Sequence, residues 1–165
     1  MPRPLARIAL GIAVALVVFG CSSFIDARLG LPARVGPEVQ VGAGVAADGS
    51  WTAWIYRDRD RLTCLMIRGA NGGENGSCGS GTGANVAGGP PTTYVYGSTL
   101  HPAAASARIT LADKSRTTVV VALPPDGVTE GVRYYVAGLP GAAAVTKVEI
   151  LDGAGVVVES YPLAP

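Results

Sequence analysis

Charge is scarce in this chain of 165 residues. Asp, Glu, Lys and Arg together make up 15% of it, and the formal net charge is +1. Setting aside Arg3 and Arg7, which lie in an export-like leader, leaves −1. A near-neutral domain has no electrostatic reason to seek nucleic acid, where basic patches are expected. Histidine occurs once, at His101. Triad chemistry needs a nucleophile, a base and an orienting acid within reach of one another. No Gly-x-Ser-x-Gly elbow accompanies His101. A P-loop, a dinucleotide fingerprint and an EF-hand loop are all missing too. No catalytic, cofactor-binding or metal-binding residue is therefore assigned, and no cofactor is expected. No helical period shows outside the leader, and Gly 23 and Pro 12 disfavour long helices. Hydrophobic residues are 48% of the chain, which excludes a disordered polymer.

The leader has the three parts of an export signal. Arg3 and Arg7 give a positive start, Ile8 to Phe19 is apolar and uncharged, and Gly20 is a small residue at a cleavage edge. The uncharged run from Ile8 to Ile25 is near the minimum for a membrane span, but Cys21, Ser22 and Ser23 interrupt it. Val18-Phe19-Gly20-Cys21 resembles the lipobox of bacterial lipoproteins. Val18, Gly20 and Cys21 match that pattern; Phe19 departs from it, because the position usually holds a small or modest aliphatic residue. The resemblance is confined to this tetrapeptide. It implies a diacylated Cys21 as the mature N-terminus, with Ser22 and Ser23 opening the tether. Two acyl chains meet the requirement for stable anchoring. The competing readings are an uncleaved signal anchor and simple secretion. All three put the remainder of the chain outside the cytoplasm. The division that follows is a signal peptide or membrane anchor over 1–20, a tether over 21–38 and a β-domain over 39–165. The Ala/Gly/Val/Arg-rich composition is also similar to that of small exported proteins of high-GC Gram-positive bacteria.

With Cys21 lipidated, Cys64 and Cys78 are the partners left for each other, and export makes a disulfide between them the expectation. Closing a loop of that size is worth about 3 kcal/mol in the chain-entropy model. The alternative is a pair of free thiols. A metal site is disfavoured, since no further Cys or His sits at ligand spacing.

Alternation of apolar and polar residues marks strands over Val39–Ala46, Trp51–Arg57, Arg61–Arg68, Thr92–Tyr96, Ala107–Leu111, Thr117–Leu123, Val132–Ala137, Val145–Leu151 and Val156–Tyr161. Arg57-Asp58-Arg59-Asp60-Arg61 reads as a solvated hairpin tip or a docking tip for a charged partner. Its interleaved arginines keep Asp58 and Asp60 ionised and make them poor general acids. Gly69 to Pro91 is glycine-rich, with Asn71-Gly72 and Asn75-Gly76 as turn signals. It reads as a long loop pinned by Cys78, either a flexible excursion or a binding loop.

An internal repeat aligns Ala107–Asp113 with Thr146–Asp152, each followed by a turn and a run of valines. The expected fold is all-β, a two-sheet antiparallel sandwich of about eight or nine strands, favoured over a closed barrel. The two repeat hairpins are expected on opposing sheets, with Ile109, Leu111, Val148 and Ile150 facing inward together. The functional expectation is an exported, membrane-tethered envelope protein acting as a non-enzymatic binding or structural domain. Its partners are the membrane and an unknown envelope protein or glycan, with Tyr94, Tyr96, Tyr134 and Tyr135 as the expected exposed binding surface. The alternatives are an extracytoplasmic enzyme using His101 and a sensory ectodomain on an uncleaved anchor.

Metabolic labelling with a fatty-acid analogue is expected to mark the wild-type chain and not Cys21→Ser. Label that survives the substitution would rule out lipid on Cys21.

Overall fold

Nearly every described residue of the chain belongs to a strand or to the turn between two strands. The computed structural model describes residues 34–79, 82–124, 129 and 131–163. The leader, Cys21 and most of the tether lie outside them. The described residues form eleven strands and no helix. The first four, β1 (Arg34–Ala46), β2 (Gly49–Asp58), β3 (Thr63–Arg68) and β4 (Glu74–Gly79), make a meander in the order β1-β2-β3-β4. A three-stranded sheet follows from β5 (Gly83–Gly89), β6 (Thr92–Thr99) and β9 (Arg133–Pro140), in the order β5-β6-β9. The last sheet has the order β11-β10-β7-β8, from β7 (Ala104–Leu111), β8 (Arg116–Val120), β10 (Val145–Asp152) and β11 (Val157–Pro162). Every pairing within these sheets is antiparallel. We call the sheets A, B and C in that order. β1 already starts at Arg34, ahead of the expected domain start at residue 39.

The all-β antiparallel architecture agrees with expectation, but the sheets number three rather than two. The reason lies in β6. Its side chains alternate between opposite faces, and those of both faces are buried. Tyr94 and Tyr96, with Tyr134 of β9, pack against Trp51, Ala53, Ile55, Leu65 and Ile67 of sheet A. Val95, with Tyr135, Ala137 and Leu139 of β9, packs against Ala107, Ile109, Val145, Val148 and Ile150 of sheet C. A sheet that is apolar on both faces needs a layer on each side. Sheet B is therefore the middle of a three-layer stack.

All nine expected strands are present. The two additional ones, β4 and β5, come from the glycine-rich stretch that read as a loop. Asn71-Gly72 does form the β3–β4 turn, with Gly72 at φ 73° and its N–H donated to the Gly69 carbonyl at 3.1 Å. Asn75-Gly76 lies inside β4 instead. A Cβ on Gly76 would come within 2.6 Å of the Leu65 carbonyl oxygen, so the close pairing of β4 with β3 selects glycine there. Cys64 stands directly opposite Cys78 in this ladder with a Cα–Cα distance of 4.0 Å, and the two form a disulfide. The staple is thus a cross-strand bond rather than a strand-to-loop bond.

The repeat hairpins share one sheet, contrary to the expectation of opposing sheets. β7 and β10 pair with each other through their first strands, setting Ile109 opposite Val148 and Arg108 opposite Glu149. Same-sheet pairing satisfies both faces at once. Ile109, Val148 and Ile150 enter the core together, with Leu111 packed at its margin. On the other face Arg108 donates to Glu149 at 2.8–2.9 Å and Lys147 reaches the same carboxylate at 2.7 Å. These bonds hold the Glu149 carboxyl below the usual carboxylate range despite its desolvation. The two turns are also built alike. Asp113 Oδ1 accepts the Ser115 N–H, and Asp152 Oδ1 accepts the N–H groups of Ala154 and Val156.

Short polar bridges tie the layers at their margins. Thr92 of β6 donates to Asp48 in the β1–β2 turn at 2.6 Å. At the other end of β6, Thr99 donates to Glu159 of β11 at 2.7 Å, and Tyr161 donates to the same oxygen.

Ile109→Ala is expected to cost about 2–5 kcal/mol in a denaturant melt. Thr110→Ala is expected to cost below about 1 kcal/mol, because the hydroxyl it deletes is buried without a hydrogen-bond partner. Similar losses at the two positions would contradict the assigned faces of β7.

Candidate functional site

The layer between sheets A and B changes character along its length. On sheet A the residues facing sheet B are Trp51, Ala53 and Ile55 along β2, ending in Arg57. Along β3 they run back from Ile67 through Leu65 to Thr63, with Asn75 and Ser77 as facing residues of β4. Register places Arg57 opposite Thr63 and Leu65 opposite Ser77. On sheet B the matching faces are Tyr94, Tyr96 and Ser98 along β6, Ala87 and Asn85 along β5, and Val136 and Tyr134 along β9. One end of the layer is therefore apolar along β2 and β3, with Asn75 at its β4 edge. There Trp51 meets Tyr94 edge-on, with ring centroids 6.4 Å apart. The other end is polar on both walls.

That polar end is an open cleft of about 660 Å³. Arg57, Thr63 and Ser77 line one wall; Asn85, Ser98 and Tyr134 line the other. Arg61 stands at its rim and Thr82 and Thr129 at its margin, while Leu65 and Leu100 supply apolar surface. Several of these groups bond across it. Asn85 Nδ2 reaches Ser77 Oγ at 3.4 Å, and the Tyr96 and Tyr134 hydroxyls come near Ser77 and Thr63. Burial pushes the Tyr134 hydroxyl up to about 12, against the pull of the nearby Thr63 hydroxyl and Arg57 charge. Burial raises Tyr96 as well. Both phenols are neutral hydrogen-bonding groups at physiological pH. Beneath the cleft, the Tyr135 ring lies across Gly97 and donates to the Gly83 carbonyl at 2.9 Å. A Cβ at Gly97 would collide with both, so the glycine is what lets this ring support the β5 edge.

The hairpin tip above the cleft is locked. Asp58 is turned away from solvent; its carboxylate accepts the Leu62 N–H at 2.8 Å and its carbonyl accepts the Arg61 N–H at 3.2 Å. Arg61 takes φ 62° as a result. The tip is solvated at Arg59, Asp60 and Arg61, while Asp58 is its buried anchor and Arg57 and Arg61 border the cleft.

The four tyrosines expected as an exposed patch are interior. Tyr94, Tyr96 and Tyr134 are 4% exposed and Tyr135 is 1%. Each sits in a layer that a second sheet covers, and only Tyr134 also lines the cleft. His101 lies in the β6–β7 turn, where its Nδ1 accepts the Ala103 N–H at 3.3 Å and its carbonyl accepts the Ala104 N–H. It is not part of the cleft wall. Among the described residues no cluster of His, Cys, Asp or Glu could hold a metal ion. Cys64 and Cys78 are joined on the face of sheet A that points away from sheet B, beside Tyr56 and Met66. Cys21 lies outside the described residues.

Thr63, Ser77, Asn85 and Ser98 were not singled out from the sequence, and Arg57 was read only as part of the charged hairpin tip. The available signal was parity. Counting alternate positions from Trp51 puts Arg57 on the same face as Trp51, Ala53 and Ile55, and counting from Ile67 does the same for Thr63. For Ser77 and Asn85 no parity could be applied, because their segment did not read as strand. No protein-family model, curated protein or solved structure matches the chain.

Proposed function

We propose that this chain is an exported, membrane-tethered module of the bacterial cell envelope that works by binding, with the cleft between sheets A and B as its binding site. The observation that carries the reading is the polar end of an otherwise apolar inter-sheet layer. An interface that only had to hold two sheets together gains nothing from facing polar walls, since polar groups taken from water cost free energy unless they are bonded. Here they gather at one open end, in a volume within the range of about 300–1,000 Å³ typical of ligand sites. The chemistry of the wall supports binding rather than turnover. It offers hydroxyls, one amide and two guanidinium groups, with no histidine or carboxylate among its described residues. His101 uses Nδ1 within its own turn. The export reading rests on Arg3, Arg7, the apolar run and Cys21. A disulfide in the folded domain fits an oxidising compartment.

Asn85→Trp, at an exposed position on β5, places a bulky ring at the cleft wall. Full-length chain in lipid nanodiscs can be exposed to a soluble digest of bacterial envelope and read by native mass spectrometry. A bound species is expected on the wild type and not on Asn85→Trp. The same adducts on both, or none on either, would contradict a binding role for the cleft.

A further inference from the structure

The disulfide and the cleft meet on β4. Resting on the reading of the cleft as the binding site, we infer that the Cys64–Cys78 bond is its redox control. With the bond closed the cleft keeps its β4 wall; reduction by a dithiol of the envelope releases that wall and with it the ligand. Three features lead there. First, β4 is an edge strand of sheet A, and apart from Cys78 it consists of Glu74, Asn75, Gly76, Ser77 and Gly79. It adds no apolar side chain to the layer between sheets A and B. Second, side chains clasp β4 to β3 at its two ends. Arg68 holds Glu74 at 2.9 Å beside the β3–β4 turn, and the disulfide holds Cys78 at the far end, next to the exposed Gly79. Ser77, which lines the cleft and is reached by Asn85 of β5 at 3.4 Å, lies beside the second clasp. Third, the two cysteines differ in access. Cys64 is 1% exposed, packed with Tyr56 and Met66, whereas Cys78 is only half-buried. Exchange with an incoming thiol depends on access to the sulfur it attacks.

The step is a thiol–disulfide exchange. A thiolate of the dithiol attacks Cys78 Sγ, the S–S bond breaks, and Cys64 leaves as a thiolate that takes up a proton. The second thiol of the reductant attacks the mixed disulfide and closes the reductant into its own disulfide, and Cys78 is freed and protonated. Two electrons and two protons have passed to the cysteine pair. The cleft end of β4 is then held by a ladder of Gly76, Ser77 and Gly79, residues with little β-propensity. An edge segment of this kind opens locally while the rest of the fold stays closed. Ser77 then leaves the wall. A disulfide oxidant reverses the exchange and restores it.

Full-length chain in lipid nanodiscs can be followed before and after dithiothreitol, by hydrogen exchange and by native mass spectrometry with the soluble envelope digest. On reduction, exchange across Gly76–Gly79 is expected to speed up at least roughly tenfold more than exchange at Tyr94, Val95 and Tyr96 on β6. The digest adducts of the oxidised protein are expected to disappear on reduction and to return on reoxidation. The double variant Cys64→Ser, Cys78→Ser is expected to lack them and to be indifferent to dithiothreitol. A bond that the dithiol leaves intact in the folded protein would overturn the inference. Equal acceleration at β4 and β6 would also overturn it, because the bond would then be a staple of the whole fold. Adducts that persist on the reduced protein would overturn the redox control and leave the binding cleft standing. No adducts on the oxidised protein would overturn the binding role itself, and the control with it.

Discussion

Sheet B has two apolar faces, and the rest of the molecule follows from covering them. Three strands cannot bury Tyr94, Tyr96 and Tyr134 on one side and Val95, Tyr135 and Leu139 on the other without help. Leaving either set in water would forfeit roughly 1.5–3 kcal/mol for each large side chain. The chain answers with a meander on one face and a pair of matched hairpins on the other. The matched hairpins join edge to edge because their sequences complement each other across the pairing, isoleucine to valine inside and arginine to glutamate outside. The meander is held laterally by Arg68, which takes Glu38 of β1 with two bonds and Glu74 of β4 with a third, and lies over the Trp54 ring at 5.4 Å. One guanidinium thus spans the sheet from its first strand to its last.

The cleft follows from that arrangement. The strands of sheet A run on past their apolar stretch, and the residues at that end are arginine, threonine and serine. β4 is the weakest part of the wall, with glycines at Gly76 and Gly79 and little β-propensity. It is also the strand that carries Ser77. The disulfide fixes it from behind. Cys78 is the neighbour of Ser77 and lies on the opposite face of the strand, so the bond to Cys64 sets the position of β4 right beside the cleft. The staple and the site are consecutive residues on the two sides of one strand.

Much of the fold was legible in the sequence because its signals were periodic. Ile109, Val148 and Ile150 alternate with polar residues, and the valine runs at Val119–Val121 and Val156–Val158 are β-branched, so the strands that carry them stand out. β4 and β5 were not legible, because Glu74–Gly79 and Gly83–Gly89 contain one β-branched residue, Val86, among many glycines. Cross-strand pairing and the disulfide impose strand there over local preference. The layer count was missed for a related reason. Tyrosine alternating with valine reads as a half-buried strand with an outward phenol, whereas here the phenols lie between two sheets, and that of Tyr135 donates to the Gly83 carbonyl. Which face a strand covers is local information; how many sheets come to cover it is not. The export signal and lipobox-like tetrapeptide were read from sequence and lie outside the described residues.

The dependence of the stack on its middle sheet is open to direct measurement by native-state hydrogen exchange on the full-length chain. The amides of Tyr94, Val95 and Tyr96 on β6, hydrogen-bonded between β5 and β9 with a sheet on each face, are expected to exchange last, at the rate set by global unfolding. The β10–β11 and β1–β2 hairpins are expected to exchange earlier through local opening. Exchange at β6 as fast as in either outer hairpin would contradict the account.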